Sequence, residues 1–214
     1  MNRAIELIRD ALLGKEVDLT AVSIKKAIIL LAIPMVLEMI MESLFAVVDV
    51  YFVSQVSTDA IATVGLTESV LTLLYACAMG LSMAATAMIS RRVGEKNIDA
   101  AGNAGGQAIV LGLTLAFIVG FFGFFYAGDI LRLMGGSAEL IESGQGYTRI
   151  LLITNVVVIL LFLLNGIFRG AGNAALAMRS LWLANGINIL LDPLFIFGWG
   201  PIPAMGVEGA ALAT

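Results

Sequence analysis

The chain has 214 residues, of which 60% are hydrophobic and only 13% are charged, and its mean hydropathy is +0.99. Ordinary soluble domains carry about 25% charged residues, so this composition argues against a water-soluble fold. The sequence has no histidine and one cysteine, which excludes histidine-based catalysis, the common zinc sites and a disulfide within this chain. The net charge of −4 says little about partners, because in a membrane protein the positions of the basic residues matter more than their sum.

Long apolar blocks fill most of the chain. Each has about 20 residues or more, enough to cross a hydrocarbon core roughly 30 Å thick at 1.5 Å per residue. The strands of a closed barrel would alternate apolar and polar residues over about ten positions, whereas residues 156–164 are apolar on every side. The sequence therefore predicts an all-α fold, a bundle of membrane-spanning helices.

The amino-terminal segment, residues 1–26, differs from the rest of the chain. It mixes charged residues with apolar positions such as Ile5, Ile8, Leu12 and Leu13. This pattern predicts a short amphipathic helix at the cytoplasmic surface.

The remainder, residues 27–214, is predicted to hold five complete membrane helices and the start of a sixth. In chain order, the predicted helices 1 to 5 cover residues 27–54, 60–89, 101–126, 139–167 and 175–198. A sixth apolar segment begins near residue 206 and has about nine residues before Thr214, which is too few to cross a membrane. We therefore expect a truncated chain, with the rest of helix 6 and a second set of helices in the full-length protein.

The basic residues predict the orientation. Ten of the twelve lysines and arginines lie in the amino-terminal segment or near the links between helices 2 and 3 and between helices 4 and 5. The other two, Arg132 and Arg149, lie near the opposite ends of the helices. Because cytoplasmic loops are rich in Lys and Arg, we expect a cytoplasmic amino terminus in a protein of the plasma (inner) membrane.

Helix 1 carries three carboxylates, Glu38, Glu42 and Asp49. At 100° per residue they fall within about 40° of one another, so one polar stripe of this helix faces something other than lipid. Pro34 in the same helix removes a backbone hydrogen bond and permits a bend, although membrane helices also tolerate proline without a functional reason.

Helix 5 carries a second stripe, because Asn185, Asn188 and Asp192 lie within about 60° of one another by the same arithmetic. With the predicted orientation, Asp49, Asp192 and Glu68 of helix 2 lie within a few Å of one level, and Thr214 of helix 6 lies near it.

Carboxylate, amide and hydroxyl oxygens at one depth suit Na⁺ or a proton. We therefore predict a cation or proton site at Asp49, Asn188, Asp192 and Thr214, with Glu42 included. Glu38, Glu68 and Asn185 are further candidates. The simpler alternative is that these acids only join helices by hydrogen bonds or face water-filled vestibules.

Five segments can then be taken together. They are Ile33-Pro34, Val48-Asp49 and residues 168–173, 188–198 and 209–214. Their order and spacing resemble the multidrug and toxin extrusion (MATE) transporters, and they match the first of that family's two six-helix lobes over nearly the whole chain.

The resemblance implies an antiporter that exports organic, often cationic, compounds by alternating access, driven by Na⁺ or H⁺. In that family an aspartate of helix 1, an Asn and an Asp of helix 5 and a threonine of helix 6 form the cation site, so Na⁺ would bind at Asp49, Asn188, Asp192 and Thr214. The expected partners are a small organic substrate, membrane lipid and a second lobe. We expect no catalytic residue, no nucleic acid and no cofactor beyond the coupling ion.

Two positions depart from the family pattern. Many members carry Gln where Glu42 stands, so this protein is expected to handle an extra proton. Many carry Asp where Asn173 stands, so the inner end of helix 5 is expected to be arranged differently.

Three other functions remain to be compared with this one. A lipid-linked precursor flippase or small-acid exporter would share the same superfamily architecture. An intramembrane protease would use Asp49 and Asp192 as a dyad, but the sequence lacks a Gly-x-Gly-Asp signature. A non-transporting membrane scaffold would need the acids for assembly alone.

Overall fold

The structure, a computed structural model, describes residues 3–15, 17 and 21–214, and for residues 3 and 4 it describes the backbone alone. Its helices, in chain order, are α1 (Arg3–Leu13), α2 (Ile24–Ser54), α3 (Thr58–Gly94), α4 (Ile98–Leu133), α5 (Ala138–Gly170), α6 (Ala174–Phe197) and α7 (Val207–Ala213). The described residues contain no strand beyond an isolated bridge between Trp199 and Ile202. The predicted all-α fold is confirmed.

Helices α2 to α6 are each long and apolar enough to cross a membrane. Most residues in their apolar stretches are not buried within the protein, as expected when the outer faces of the helices contact lipid rather than water. Predicted helices 1 to 5 correspond to α2 to α6, and predicted helix 6 corresponds to α7.

The helices extend further than the apolar blocks predicted. Helix α3 ends at Gly94 instead of residue 89, and α4 ends at Leu133 instead of residue 126. Beyond the apolar part of α3, Arg91 Nε and Arg92 Nη1 donate to the Glu95 carboxylate at 2.9 and 3.0 Å. These hydrogen bonds lower the pKa of Glu95, and pairs at this spacing add a little stability to a helix end.

Polar side chains mark the starts of α3 to α6. Ser57, Asn97, Ser137 and Asn173 each accept a hydrogen bond from the backbone N–H three residues further on, at 3.0 to 3.2 Å. Ser and Asn are favoured caps because their side chains satisfy N–H groups that have no partner inside the helix. At the start of α6 an Asp in place of Asn173 could accept the same hydrogen bond.

The chain divides into two compact units, each built from parts of several helices. The first unit comprises Met1–Ser43, Ala78–Gly112 and Leu160–Ala184, and the second comprises Leu44–Cys77, Leu113–Ile159 and Asn185–Thr214.

In the first unit, α3 and α5 pack closely through small residues. Ser82 Oγ donates to Phe162 O at 2.7 Å, and Thr86 Oγ1 donates to Gly166 O at 2.8 Å. A Cβ at Gly170 would lie 2.9 Å from Thr86 O, so a larger residue there would push the two helices apart. Small residues and hydroxyl-to-carbonyl bonds are typical of helix contacts in membranes.

Helix α1 also belongs to the first unit. Arg179 Nη2 of α6 donates to Leu12 O at 2.8 Å, and Ala11 is buried. Ile5, Ile8 and Leu13 remain exposed, so α1 presents apolar side chains outward. The position of α1 at the cytoplasmic surface stays a prediction, and residues 1, 2, 16 and 18–20 of the predicted segment lie outside the described residues.

An ion pair joins α2 and α5 in the first unit. Arg169 Nη1 donates to Glu38 Oε1 at 3.0 Å, and the two side chains are 21% and 11% exposed. Nearby, Trp182 Nε1 of α6 donates to Leu37 O at 3.2 Å. Glu38, predicted as a further candidate for the cation site, therefore has an arginine as its partner.

In the second unit, hydroxyl and amide groups join the helices. The hydroxyl groups of Thr67 and Thr148, both fully buried, lie 2.8 Å apart between α3 and α5. Asn155 Nδ2 of α5 donates to Ala116 O of α4 at 3.2 Å. These contacts hold α5 between its two neighbours.

We expect replacement of the α6 cap to cost stability only when the acceptor is removed. Asn173→Ala should lower the free energy of unfolding of the full-length protein by about 1 kcal/mol, because the Leu176 N–H loses its acceptor. Asn173→Asp should leave it unchanged or slightly higher, because a carboxylate also interacts favourably with a helix amino terminus. Thermal unfolding in detergent measures both variants, and equal losses would contradict the capping role.

We expect the Glu38 and Arg169 side chains to be energetically coupled. Each single change, Glu38→Gln or Arg169→Gln, should cost about 2 kcal/mol by leaving a partly buried charge without its partner. The double variant should cost clearly less than the sum of the two. Thermal unfolding of all four proteins completes the cycle, and strict additivity would show that the pair contributes nothing.

Candidate cation-binding site

The second unit contains a cavity of about 70 Å³ that carries two of the candidate acids. Asp49 of α2 and Glu68 of α3 line it, together with Thr214 at the end of α7. A buried water needs roughly 10–15 Å³ of such space, and drug-sized ligands occupy pockets of about 300 Å³ or more. The cavity therefore has room for a few waters or a partly hydrated ion.

Helices α3 and α5 supply most of the remaining wall. The other lining residues are Phe45, Leu71, Leu74, Tyr75, Tyr147, Leu151, Thr154, Asn155 and Val158. Tyr147 is buried and lies within range of electrostatic interaction with Asp49, Glu68 and Asp192. The acids of the cavity and the aspartate of α6 therefore lie near the same tyrosine.

Asp192 of α6 is completely buried, and neither of its carboxylate oxygens has a hydrogen-bond partner among the described residues. It lies within range of electrostatic interaction with Asp49, whose Oδ1 is also buried without a partner in the described part of the chain. Burial of an isolated carboxylate costs several kcal/mol, so such a group binds a proton or a cation.

Asn188 lies one turn before Asp192 on α6 and connects it to α7. Its Nδ2 donates to Thr214 Oγ1 at 3.2 Å, and Thr214 Oγ1 donates to Ala210 O at 3.1 Å. Asn188 Oδ1 is buried and has no partner among the described side chains and backbone. Its free oxygen therefore adds a neutral acceptor to those of the two aspartates.

The loop between α6 and α7 positions Thr214. Met205 N donates to Phe195 O at 3.0 Å, and Gly206 N donates to Ile196 O at 3.1 Å, so the chain folds back onto the end of α6. Gly198 adopts φ +76°, and a Cβ there would lie 2.6 Å from Ala204 N. This reversal needs glycine for its backbone conformation and for the close approach.

Asn188 and Asp192, like Asn185, Glu38 and Glu42, are not among the residues that line the cavity. Asn185 is buried in the second unit, where its Nδ2 has no partner among the described residues. Glu42 is exposed and, like Glu38, belongs to the first unit. Helix α2 continues through Pro34 without interruption. The roles of Glu42 and Pro34 stay predictions.

The donor set favours a hard monovalent cation or a proton. In the described residues no three His, Cys, Asp or Glu side chains are grouped so that they could hold a metal ion. The available oxygens instead come from two aspartates, an amide and a hydroxyl group. Na⁺ accepts such oxygen ligands, whereas transition metals prefer imidazole or thiolate.

Sequence reasoning missed the contribution of α5. Tyr147, Thr154 and Asn155 all line the cavity, and Asn155 Oδ1 is buried without a partner in the described structure. Tyr147 and Thr154 are seven residues apart and therefore lie on one helix face. The same helical spacing, applied to the uncharged polar residues of predicted helix 4, identifies these two as one polar face.

Comparison with known proteins places this chain in a family. The MatE family model matches residues 34–194. The probable multidrug resistance protein NorM of Thermotoga maritima is 31% identical over 200 residues, which cover 89% of this chain and 41% of that protein. An FAD transporter of Shewanella oneidensis is 28% identical over 170 residues, covering 79% of this chain and 38% of that protein.

Solved structures show similarity to the same family. A crystal structure of a mutant MATE protein has a TM-score of 0.85 and 34% identity, covering 94% of this chain and 44% of that one. The structure of an outward-facing MATE transporter has a TM-score of 0.80 and 32% identity, and the match covers 100% of this chain and 44% of that one. The chain thus spans about two fifths of the length of these relatives. It belongs to the MATE family of multidrug efflux transporters and, as the sequence predicted, matches the amino-terminal half of such proteins.

Proposed function

We propose that the full-length protein carrying this chain is a cation-coupled antiporter that exports organic, often cationic, drugs or metabolites. Na⁺ or H⁺ is the coupling ion and binds at Asp49, Asn188, Asp192 and Thr214. No other cofactor is needed.

One observation carries this proposal. Six buried oxygen atoms of the second unit have no partner in the described structure, and four of them belong to the proposed site: both of Asp192 and one each of Asp49 and Asn188. Two of these side chains are acids, so a single small cation or one or two protons would both satisfy the oxygens and neutralise the charge. A purely structural site would have provided hydrogen-bond donors instead.

Coupling follows from the difference between the loaded and the empty site. With the cation bound, Asp49 and Asp192 tolerate a dry, closely packed neighbourhood. Without it, two carboxylates repel each other and favour a hydrated arrangement. Because Asp49 lies on α2, loading changes the packing preference of that helix, and Pro34 provides a point at which α2 can bend. Alternating access then requires only that loading shifts the balance between two states.

The exported compound binds elsewhere in the full-length protein, because the 70 Å³ cavity is too small for a drug-sized molecule. One relative is a multidrug export protein, MepA of Staphylococcus aureus, and another is the FAD transporter. FAD is an anion, so an export assay should include FAD beside cationic dyes. No observation specifically favours the lipid-linked precursor flippase or the small-acid exporter.

The orientation and the second lobe complete the proposal. The five membrane helices lie in the plasma (inner) membrane with a cytoplasmic amino terminus, as the distribution of Lys and Arg indicates. A second six-helix lobe would complete the transporter and would form the substrate cavity together with this one.

We expect transport by the full-length protein in proteoliposomes to depend on both aspartates. Asp49→Asn and Asp192→Asn should each lower gradient-driven uptake of a cationic dye by about tenfold or more, because charged hydrogen bonds and ion contacts are worth about 1.5–3 kcal/mol. The assay applies Na⁺ and pH gradients separately, which identifies the coupling ion.

Glu95→Gln is the matched control, since it also removes one carboxylate but alters only the two exposed ion pairs with Arg91 and Arg92 at the end of α3. It should transport at the wild-type rate. Wild-type transport by Asp49→Asn, with both gradients intact, would contradict the proposed site. Loss of folding without loss of specific activity in the aspartate variants would support a scaffold instead.

A further inference from the structure

A second polar opening in the second unit lies where α4 ends and α5 begins. This α4–α5 groove has a volume of about 470 Å³. Its polar side chains are Asp129, Arg132, Glu142, Gln145 and Arg149, and Phe125 and Ile141 add apolar surface. The groove shares no lining residue with the cation cavity, so it needs an explanation of its own.

Some of the charged side chains in the groove form an ion pair and others do not. Arg132 Nη1 donates to Asp129 at 3.1 Å, so these two compensate each other. Arg149 Nε is buried and has no hydrogen-bond partner in the described part of the chain. Burial of a guanidinium nitrogen without an acceptor is costly, so an anion that accepts a hydrogen bond from Arg149 would be favourable here.

Glu142 provides one charge of the opposite sign. It precedes Arg149 by seven residues and therefore lies on the same face of α5, about 10 Å further along the axis. It is exposed, and the described residues offer it no cation. The groove thus presents one uncompensated cation and, nearer the helix end, one uncompensated anion.

The groove lies at the level where the apolar parts of two helices end. Arg149 directly precedes the mainly apolar residues 150–164 of α5, and Asp129 follows the apolar stretch of α4 that ends at Tyr126. Helix α5 has 33 residues, about 50 Å, against a hydrocarbon core of about 30 Å. Long basic side chains at this level extend towards the lipid headgroups.

We propose that the α4–α5 groove binds a zwitterionic phospholipid headgroup, with the phosphate at Arg149 and a primary amine at Glu142. A guanidinium matches a phosphate by two parallel N–H···O bonds. A primary amine can donate a hydrogen bond to a carboxylate, whereas a quaternary ammonium cannot. Phosphatidylethanolamine has both groups, and its acyl chains would lie beside Phe125.

Gly128 lies at the groove wall, where α4 packs closely against α5. A Cβ at Gly128 would lie 3.2 Å from Gln145 Oε1 and 3.6 Å from Ile141 Cγ2. A larger side chain at this position would have to displace Gln145 or occupy part of the groove. Gly128→Leu is a way to fill the groove while leaving every charged residue in place.

Native mass spectrometry of the purified full-length protein tests the proposal. Phosphatidylethanolamine, phosphatidylglycerol, phosphatidylcholine, diacylglycerol or inorganic phosphate is added singly at matched concentrations. The wild type should retain phosphatidylethanolamine best, and diacylglycerol and inorganic phosphate hardly at all. Inorganic phosphate bound as well as the lipid would show a free-anion site and overturn the lipid assignment.

Single-residue variants test the phosphate contact and the amine contact separately. Arg149→Gln and Gly128→Leu should each lower retention of phosphatidylethanolamine about tenfold, whereas Arg149→Lys should keep part of it. Glu142→Gln should abolish the preference for phosphatidylethanolamine over phosphatidylglycerol without abolishing binding. Arg91→Gln, which changes an exposed arginine of the first unit, should behave as wild type. Unchanged retention by folded Arg149→Gln and Gly128→Leu proteins would overturn the proposal.

Discussion

The cost of a buried carboxylate without a partner governs this structure. Asp192 is fully enclosed, and its two oxygens receive no hydrogen bond from the described residues. In water such a group is solvated at no cost, whereas in a low-dielectric interior it needs a proton or a positive charge. The arrangement of α6, of the loop that follows it and of Thr214 is consistent with reversible binding of a proton or a cation at Asp192.

The same constraint distinguishes the acids from one another. Glu38 has its positive partner within the fold, the Arg169 side chain 131 residues away in sequence. Glu42 is exposed. Asp49 and Asp192 have no such partner in the described part of the chain, and they are the acids there whose buried oxygens receive no hydrogen bond. Two such groups on membrane helices support the proposal that they bind an exchangeable ion, because buried charge in a membrane is costly and is retained mainly for function.

The membrane helices could be predicted because each corresponds to a long apolar run in the sequence. The residues at which the helices end could not be predicted in this way. Helix α3 continues past its apolar part to the charged residues around Arg91 and Glu95, and a hydropathy pattern does not predict that extension. In the site, Asp49 and Asp192 were recognisable because charge is rare inside membranes. Asn155 was not, because a single amide in an apolar run becomes informative only when packing shows which cavity it lines. The partner of Glu38 likewise depends on contacts between helices that one helix cannot reveal.

Infrared difference spectroscopy of the full-length protein tests the central claim most directly, because it observes protonated carboxyl groups themselves. Spectra would be recorded between low and high pH, and between Na⁺-free and Na⁺-saturated samples. The account predicts a carboxyl band that disappears on deprotonation or Na⁺ binding, that is missing in Asp192→Asn and that persists in Glu38→Gln. A band that Asp192→Asn and Asp49→Asn both leave unchanged would contradict it.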